Sequence, residues 1–199
     1  MSTPHPIRCR CGQVRGALAF PDQALRLVCY CRDCQTAAHA LGAPERTVDA
    51  NGGTAIVASL QSNLAFTQGS DQLACLSLTD KGLYRWYASC CGTPIANTVR
   101  RPQMSYVGIV HSCLGESAQQ VAQAWPGHFD VNPTHAKGPV AKPGFKALVG
   151  TLKIARFVLG ARFTGRWRQS PFFRNGSAQP ATDVRVLAHA ELERARQSV

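Results

Sequence analysis

The sequence predicts a mainly β protein with a helical C-terminal extension, and three observations carry that reading. Short apolar runs divided by turn residues fill the chain up to about residue 113. Sustained helical spacing of apolar residues, in steps of three and four, sets in from Phe145. The 199 residues, 45% hydrophobic and 17% charged, suffice for one domain with an appended segment and exclude the disordered and collagen-like classes.

Val14 to Phe20 alternates loosely before Pro21-Asp22, Leu25 to Cys29 is a compact apolar run, and Ala55 to Leu60 follows the turn signal Asn51-Gly52-Gly53. Leu64 to Thr67, Leu73 to Leu78, Leu83 to Tyr87 and Ser105 to Val110 continue the series, punctuated by Gly69-Ser70-Asp71 and Asp80-Lys81-Gly82. The series reads as mainly antiparallel β. A short helix fits Asp33 to Leu41, ahead of Gly42-Ala43-Pro44, and residues 116–124 form a second helical candidate. Pro126, Pro133, Pro139 and Pro143 mark a linker. Phe145 to Phe163 reads as a basic amphipathic helix whose stripe of Leu148, Leu152, Ala155 and Leu159 is expected to pack on the β core. Lys146, Lys153, Arg156 and Arg162 interrupt its apolar positions, and Val184 to Arg196 reads as a last helix. The expected organisation is a β domain over 1–115, a linker with a short helix over 116–144, and a basic helical extension over 145–199.

The net charge of +11 belongs to the C-terminal third. Residues 1–136 carry 10 basic and 8 acidic side chains, and residues 137–199 carry 12 basic and 3 acidic ones. Three uses of that excess compete. The aliphatic stripe favours a solvated outer face on a helix packed against the core. Phe157, Phe163, Trp167, Phe172 and Phe173 offer aromatic anchors for a weak contact with an anionic membrane surface. Nucleic acid would suit the charge, but no reading motif accompanies it, so no specific nucleic-acid partner is expected. The most apolar run, Ala147 to Ala161, is broken by Lys153 and Arg156, which argues against a membrane span. Met1-Ser2-Thr3-Pro4-His5-Pro6 has no apolar leader, and a cytoplasmic location is expected.

In a reducing compartment clustered thiols bind metal or do chemistry more often than they form bridges. Seven of the nine cysteines are clustered, as Cys9-x-Cys11-Gly12, Cys29-x-Cys31-x-x-Cys34 and Cys90-Cys91-Gly92. Residues i and i+2 of a strand point to one side, so a C-x-C pair at a strand end or bend can offer two sulfurs to one ion. Zinc is the natural occupant for soft thiolates, and one or two ions are expected. Cys9 and Cys11 supply only two ligands and need more from far along the chain, for which Cys90-Cys91 is the obvious source. Cys29, Cys31 and Cys34 supply three locally and leave a position open unless Cys75, Cys113 or a histidine closes it. Cys75 and Cys113 lie in apolar runs and read as small buried hydrophobes.

Three segments in this order resemble the glutathione-dependent formaldehyde-activating enzyme family, also called the centromere protein V/GFA-like family. They are Arg8-Cys9-Arg10-Cys11-Gly12, Cys29-Tyr30-Cys31-Arg32-Asp33-Cys34 and the stretch from Tyr84 to Pro94 that ends in Cys90-Cys91-Gly92-Thr93-Pro94. The resemblance covers roughly residues 5–115. It implies a zinc-containing β-tent of small antiparallel sheets. It also implies a structural zinc on Cys9, Cys11 and Cys91, and a second zinc on Cys29, Cys31 and Cys34 that handles a thiol substrate. The family's late motif is C-x-x-C-G, which would place a cysteine where this chain has Ala88. Three alternatives stay open: three thiolates with an outside ligand, a Cys90-Cys91 pair joined to the site through a tight turn or bulge, or no metal. The segment Arg166-Trp167-Arg168-Gln169-Ser170-Pro171-Phe172-Phe173 in the tail is similar to that of a divergent subgroup without an assigned function.

The expected function is that of a carbon–sulfur lyase-like enzyme acting on a glutathione–aldehyde adduct or a similar small thiol, with Cys29, Cys31 and Cys34 as the catalytic centre. Three thiolates on a divalent ion leave a net charge of −1, which favours a soft thiol over water as the next ligand. His39, Arg32 and Gln35 flank the motif as weaker substrate candidates, with Arg32 placed to offset the charge. The alternative, from another class, is a non-catalytic zinc-stabilised binding module whose basic tail contacts a membrane or an acidic partner.

Overall fold

The computed structural model describes residues 2–174 and 177–199. Eleven strands form two sheets among these residues. A small sheet joins β1 (His5–Arg8), β2 (Arg15–Leu18) and β5 (Leu64–Gln68), all antiparallel, in the order β1-β2-β5. The large sheet contains β3 (Leu25–Cys29), β4 (Thr54–Leu60), β6 (Leu73–Ser77), β7 (Tyr84–Ala88), β8 (Thr93–Thr98), β9 (Tyr106–Val110), β10 (Phe129–Val131) and β11 (Val184–Val186). Its spatial order is β10-β3-β4-β9-β8-β7-β6-β11. The interior pairs are antiparallel, as the sequence predicts. Both edges are closed by late strands running parallel to their neighbours, β10 on β3 and β11 on β6.

Strand alternation gives the large sheet two buried faces. Val57, Trp86, Ile109 and Cys75 point to one face and meet Ile7, Leu18 and Leu64 of the small sheet in the main core. Phe172 and Phe173 complete that core from the tail. The Phe172 ring lies 5.0 Å from Trp86 and 5.9 Å from Phe66, centroid to centroid. The opposite face carries Cys29, Ile56, Arg85 and Leu76 by register. It is covered by helices: α1 (Arg32–Ala40) in the middle, α4 (Phe145–Phe163) over β4 and β10, and α5 (His189–Gln197) against α1. Two short helices, α2 (Pro44–Thr47) and α3 (Ala118–Ala124), lie in the connections.

Two expectations for the tail are corrected. Val184 to Arg196 is not one helix, because Val184–Val186 pairs with Cys75 to Ser77 as β11 and α5 starts only at His189. The Phe145–Phe163 helix does form, but the stripe of Leu148, Leu152, Ala155 and Leu159 is exposed instead of packed on the core. Its inward face is made of Ala147, Gly150, Ile154 and Ala161. Close approach is the reason: a Cβ on Gly150 would sit 2.4 Å from the Phe129 ring, so the space above β10 admits only small side chains.

Candidate metal centres

The first centre is built from two hairpin turns facing each other. After β1 the chain turns tightly, with the Cys9 N–H donating to Val14 O at 3.0 Å and the Gly12 N–H to Cys9 O at 2.9 Å. The second turn joins β7 to β8, where the Cys91 and Gly92 N–H groups both donate to Ala88 O. Gly92 takes a positive φ of 69°, the left-handed conformation that glycine adopts freely. This turn resolves the Ala88 question for geometry. In an extended strand Cys90 and Cys91 would point apart, but inside the turn their sulfurs lie 3.9 Å from each other.

The Cys9 sulfur lies 3.5 Å from that of Cys11 and 3.8 Å from that of Cys90, and Cys11 and Cys90 approach to 3.3 Å. All four sulfurs fall within 4.8 Å of one another. A tetrahedral ion with metal–sulfur bonds of about 2.3 Å needs its sulfurs about 3.8 Å apart, so this group fits a closed four-thiolate site. The Val14 N–H donates to the Cys9 sulfur at 3.2 Å, and the Thr93 hydroxyl contacts that of Cys91 at 3.1 Å. Burial would push the Cys91 thiol up, but the Thr93 hydroxyl and nearby backbone N–H groups outweigh it and bring it down to about 6.

The second centre sits where β3 runs into α1. Cys29 ends the strand, Cys31 is the N-cap of the helix, and Cys34 lies in its first turn, buried against the sheet. Their sulfurs lie within 4.8 Å of one another, with no fourth cysteine, histidine or carboxylate in the group among the described residues. Each sulfur meets at least one N–H donor. The Cys34 N–H reaches Cys31 at 3.4 Å, Asn132 Nδ2 reaches Cys29 at 3.5 Å, and Arg85 Nη1 reaches Cys34 at 3.6 Å. Donation from the Cys31 and Cys34 thiols holds Cys29 well below the usual thiol range, against the effect of burial. Hydrogen bonding with Cys29 in turn pushes Cys31 and Cys34 up. A cation shared by all three is what would let three thiolates coexist here.

Arg85 supplies charge of the right sign from behind. Its guanidinium is buried, bonds Asn97 Oδ1 at 3.2 Å, and leaves Nε without a partner. No ion pair joins it to a carboxylate among the described residues. Burial works against its charge, but the Cys34 sulfur beside it outweighs that and raises its pKa. A buried cation without a carboxylate hydrogen-bonded to it costs several kcal/mol unless anions offset it; exposed Asp33 contributes a little, and the three sulfurs, once held as thiolates by a shared cation, would supply the rest. The donor set and this orphaned cation together fit a metal–thiolate centre.

The sequence assigned the offsetting charge to Arg32, which is exposed on the outer side of α1. Gln35 is buried, with Nε2 donating to Tyr30 O at 3.0 Å and to His135 O at 2.9 Å, so it ties the site's loops together. His39 is half-buried near the far end of α1. Cys75 and Cys113 are buried among apolar residues in the main core. Three site residues escaped the sequence reading. Arg85 carried a signal, being one charge in an apolar and aromatic strand with both faces buried. Asn132 and Tyr106 carried none. Tyr106 packs against the second centre, where burial and the nearby sulfurs of Cys34 and Cys29 push its phenol up.

A comparison with protein-family models matches residues 1–184 to a family described as a family of unknown function (DUF6151). The matched span includes all of α4 and reaches the first residue of β11. No curated protein matches the chain.

Proposed function

The chain belongs to this family of unknown function, and from its two cysteine centres we propose a zinc-dependent enzyme of the carbon–sulfur lyase type. Its substrate is the adduct of an aldehyde with glutathione or a similar small thiol, and its fold is a zinc-containing β-tent. The observation that carries this reading is the unequal sulfur count, four in one centre and three in the other. A four-ligand site is closed and structural, whereas a three-ligand site keeps a position for a substrate. The resemblance of the cysteine segments to the glutathione-dependent formaldehyde-activating enzymes supports the same reading.

Bound at the second centre, zinc supplies Lewis acidity and a coordination position that suits sulfur. The protein supplies the rest. Cys29, Cys31 and Cys34 would hold the ion with three thiolates from one short segment. Arg85 and the N–H donors from Asn132 and Cys34 offset the negative charge that three thiolates and an incoming thiolate accumulate. In the reaction, a bond forms between the thiol sulfur and the aldehyde carbon while the thiol proton passes to the carbonyl oxygen. The reverse breaks that carbon–sulfur bond and returns the proton to sulfur.

Cobalt substitution tests the reading. The visible spectrum of the cobalt-loaded full chain should change on adding glutathione, and Cys31→Ser should abolish that change. The burial of Cys29 and Cys34 favours a second reading, a non-catalytic zinc-stabilised binding module. A closed four-ligand spectrum that ignores thiols would select that one.

A further inference from the structure

The outward face of α4 is independent of both metal centres and carries an inference of its own. The helix is seated by its small side chains, Ala147, Gly150 and Ala161 being buried. Five of its large side chains point away from the protein. Phe145, Leu148, Leu152, Leu159 and Phe163 are between 54% and 81% exposed. At 3.6 residues per turn these five fall within about 60° of arc and form one ridge about 27 Å long. Isolated exposed leucines are ordinary, but a continuous apolar ridge with a phenylalanine at each end marks a surface that something covers.

The surrounding charge identifies the cover. Arg156 and Arg162 flank the ridge, Lys146 and Lys153 lie further round toward the protein, and α4 contains no acidic residue. Between Asp130 and Asp183 the chain carries nine lysines and arginines and no Asp or Glu at all. A second copy packed ridge to ridge would set two rows of cations against each other with no carboxylate on either helix to pair them. A layer of anionic lipid satisfies both features at once. Its acyl boundary takes up phenylalanine and leucine, and its phosphates pair with cations whose long stems reach outward. No helix among the described residues is long and apolar enough to cross a membrane, so α4 would lie in the interface. We propose that α4 seats this protein on anionic membrane surfaces, with the Phe145–Phe163 ridge in the boundary between headgroups and acyl chains.

The test is co-sedimentation of the full chain with vesicles of phosphatidylcholine alone and of phosphatidylcholine mixed with phosphatidylserine. The expected result is binding to the mixed vesicles at low salt, with little binding to the neutral ones and loss of binding at high salt. Leu152→Glu with Leu159→Glu should abolish binding while circular dichroism and the thermal midpoint stay unchanged, because both positions are exposed. Arg156→Gln with Arg162→Gln should weaken it about thirty-fold, at roughly 1 kcal/mol for each lipid-facing cation. The proposal is overturned if the folded chain ignores the mixed vesicles. It is overturned equally if the double Glu variant still binds them, which would mean plain charge adsorption, or if retention occurs on heparin alone. A dimer in analytical ultracentrifugation that the double Glu variant dissolves would make a second copy the occupant and overturn it as well.

Discussion

The guanidinium of Arg85 reaches the Cys34 sulfur at 3.6 Å from inside the sheet, joining the middle of β7 to the first turn of α1. It is a buried cation of the second centre, and among the described residues it has no carboxylate partner. Arg85→Gln keeps a donor but removes the charge. Metal affinity at Cys29, Cys31 and Cys34 should then fall about ten- to a hundred-fold, the usual cost of losing a partner behind a metal ligand. The four-thiolate centre lies at the end of β7 and should keep its affinity. Zinc competition against a chromophoric chelator reads the two classes separately, and an equal loss in both would refute this role for Arg85.

The two centres should also differ in what their loss costs. Cys9→Ser unties the β1–β2 turn from the β7–β8 turn, and binding energy at such a site is folding energy. The thermal midpoint should drop by roughly 10 °C or more, since losing a structural metal belongs to the largest class of single-residue effects. Cys31→Ser removes the least buried sulfur of a local segment and should mainly abolish the cobalt spectral response to thiols. Equal destabilisation by both, with thiol response kept in Cys31→Ser, would reverse the assignment.

Local patterns made much of this fold legible. Leu25 to Cys29 and Phe145 to Phe163 were bounded as the structure has them, because turn residues and helical spacing are local signals. The seven clustered cysteines fall into the two groups that their spacing suggests. Partners distant in sequence were harder. Strand β8 has Pro94 near its start, and β10 and β11 have three residues each, too few for a pattern, and pair in parallel across long separations. Arg85 was visible as a residue but not as a site residue, because only the sheet register sets it opposite α1. The tail helix was misread in orientation, since an aliphatic stripe reveals which residues share a face but not which face the protein covers.

That inversion of α4 has a direct stability test. Gly150→Val places a methyl-bearing carbon against the Phe129 ring, where a Cβ would already lie 2.4 Å away. It should cost about 1–3 kcal/mol through overpacking. Leu152→Ser removes a much larger apolar group from an exposed position and should stay within about 0.5 kcal/mol. Urea melts of the two variants decide the matter. A costly Leu152→Ser beside a silent Gly150→Val would put the leucine face on the core after all.

Phe172 tests whether the tail is integral to the β core. Its ring is fully buried between Trp86 of the large sheet and Phe66 of the small one. Phe172→Ala should cost about 3–5 kcal/mol by opening a cavity at the junction of the two sheets. Removal of residues beyond 165 should be at least as damaging, because β11 and α5 go with it. A truncated chain with an unchanged melt would show that the β domain folds without the tail.

His111 gives the folded chain a pH dependence of predictable sign. Burial lowers its pKa from the ordinary value, in opposition to Thr47 O, which lies 3.2 Å from Nε2, and to the charge of Asp49, while Arg26 adds to the lowering. The folded state thus holds the ring neutral where the unfolded chain protonates it. Above about pH 6.5 both states are neutral and the residue contributes nothing to the pH dependence. As the pH falls below that value the unfolded chain binds a proton that the folded chain refuses, so stability declines until the lowered folded pKa is passed. His111→Gln keeps a donor toward Thr47 O and removes the titration. Other groups, the metal-binding thiols included, titrate alike in both proteins, so the difference between their urea midpoints isolates His111. That difference should be constant above about pH 6.5 and shift in favour of the variant over the next unit downward. A difference that stays flat, or that shifts in favour of the wild-type chain, would mean that the ring is not held neutral by burial.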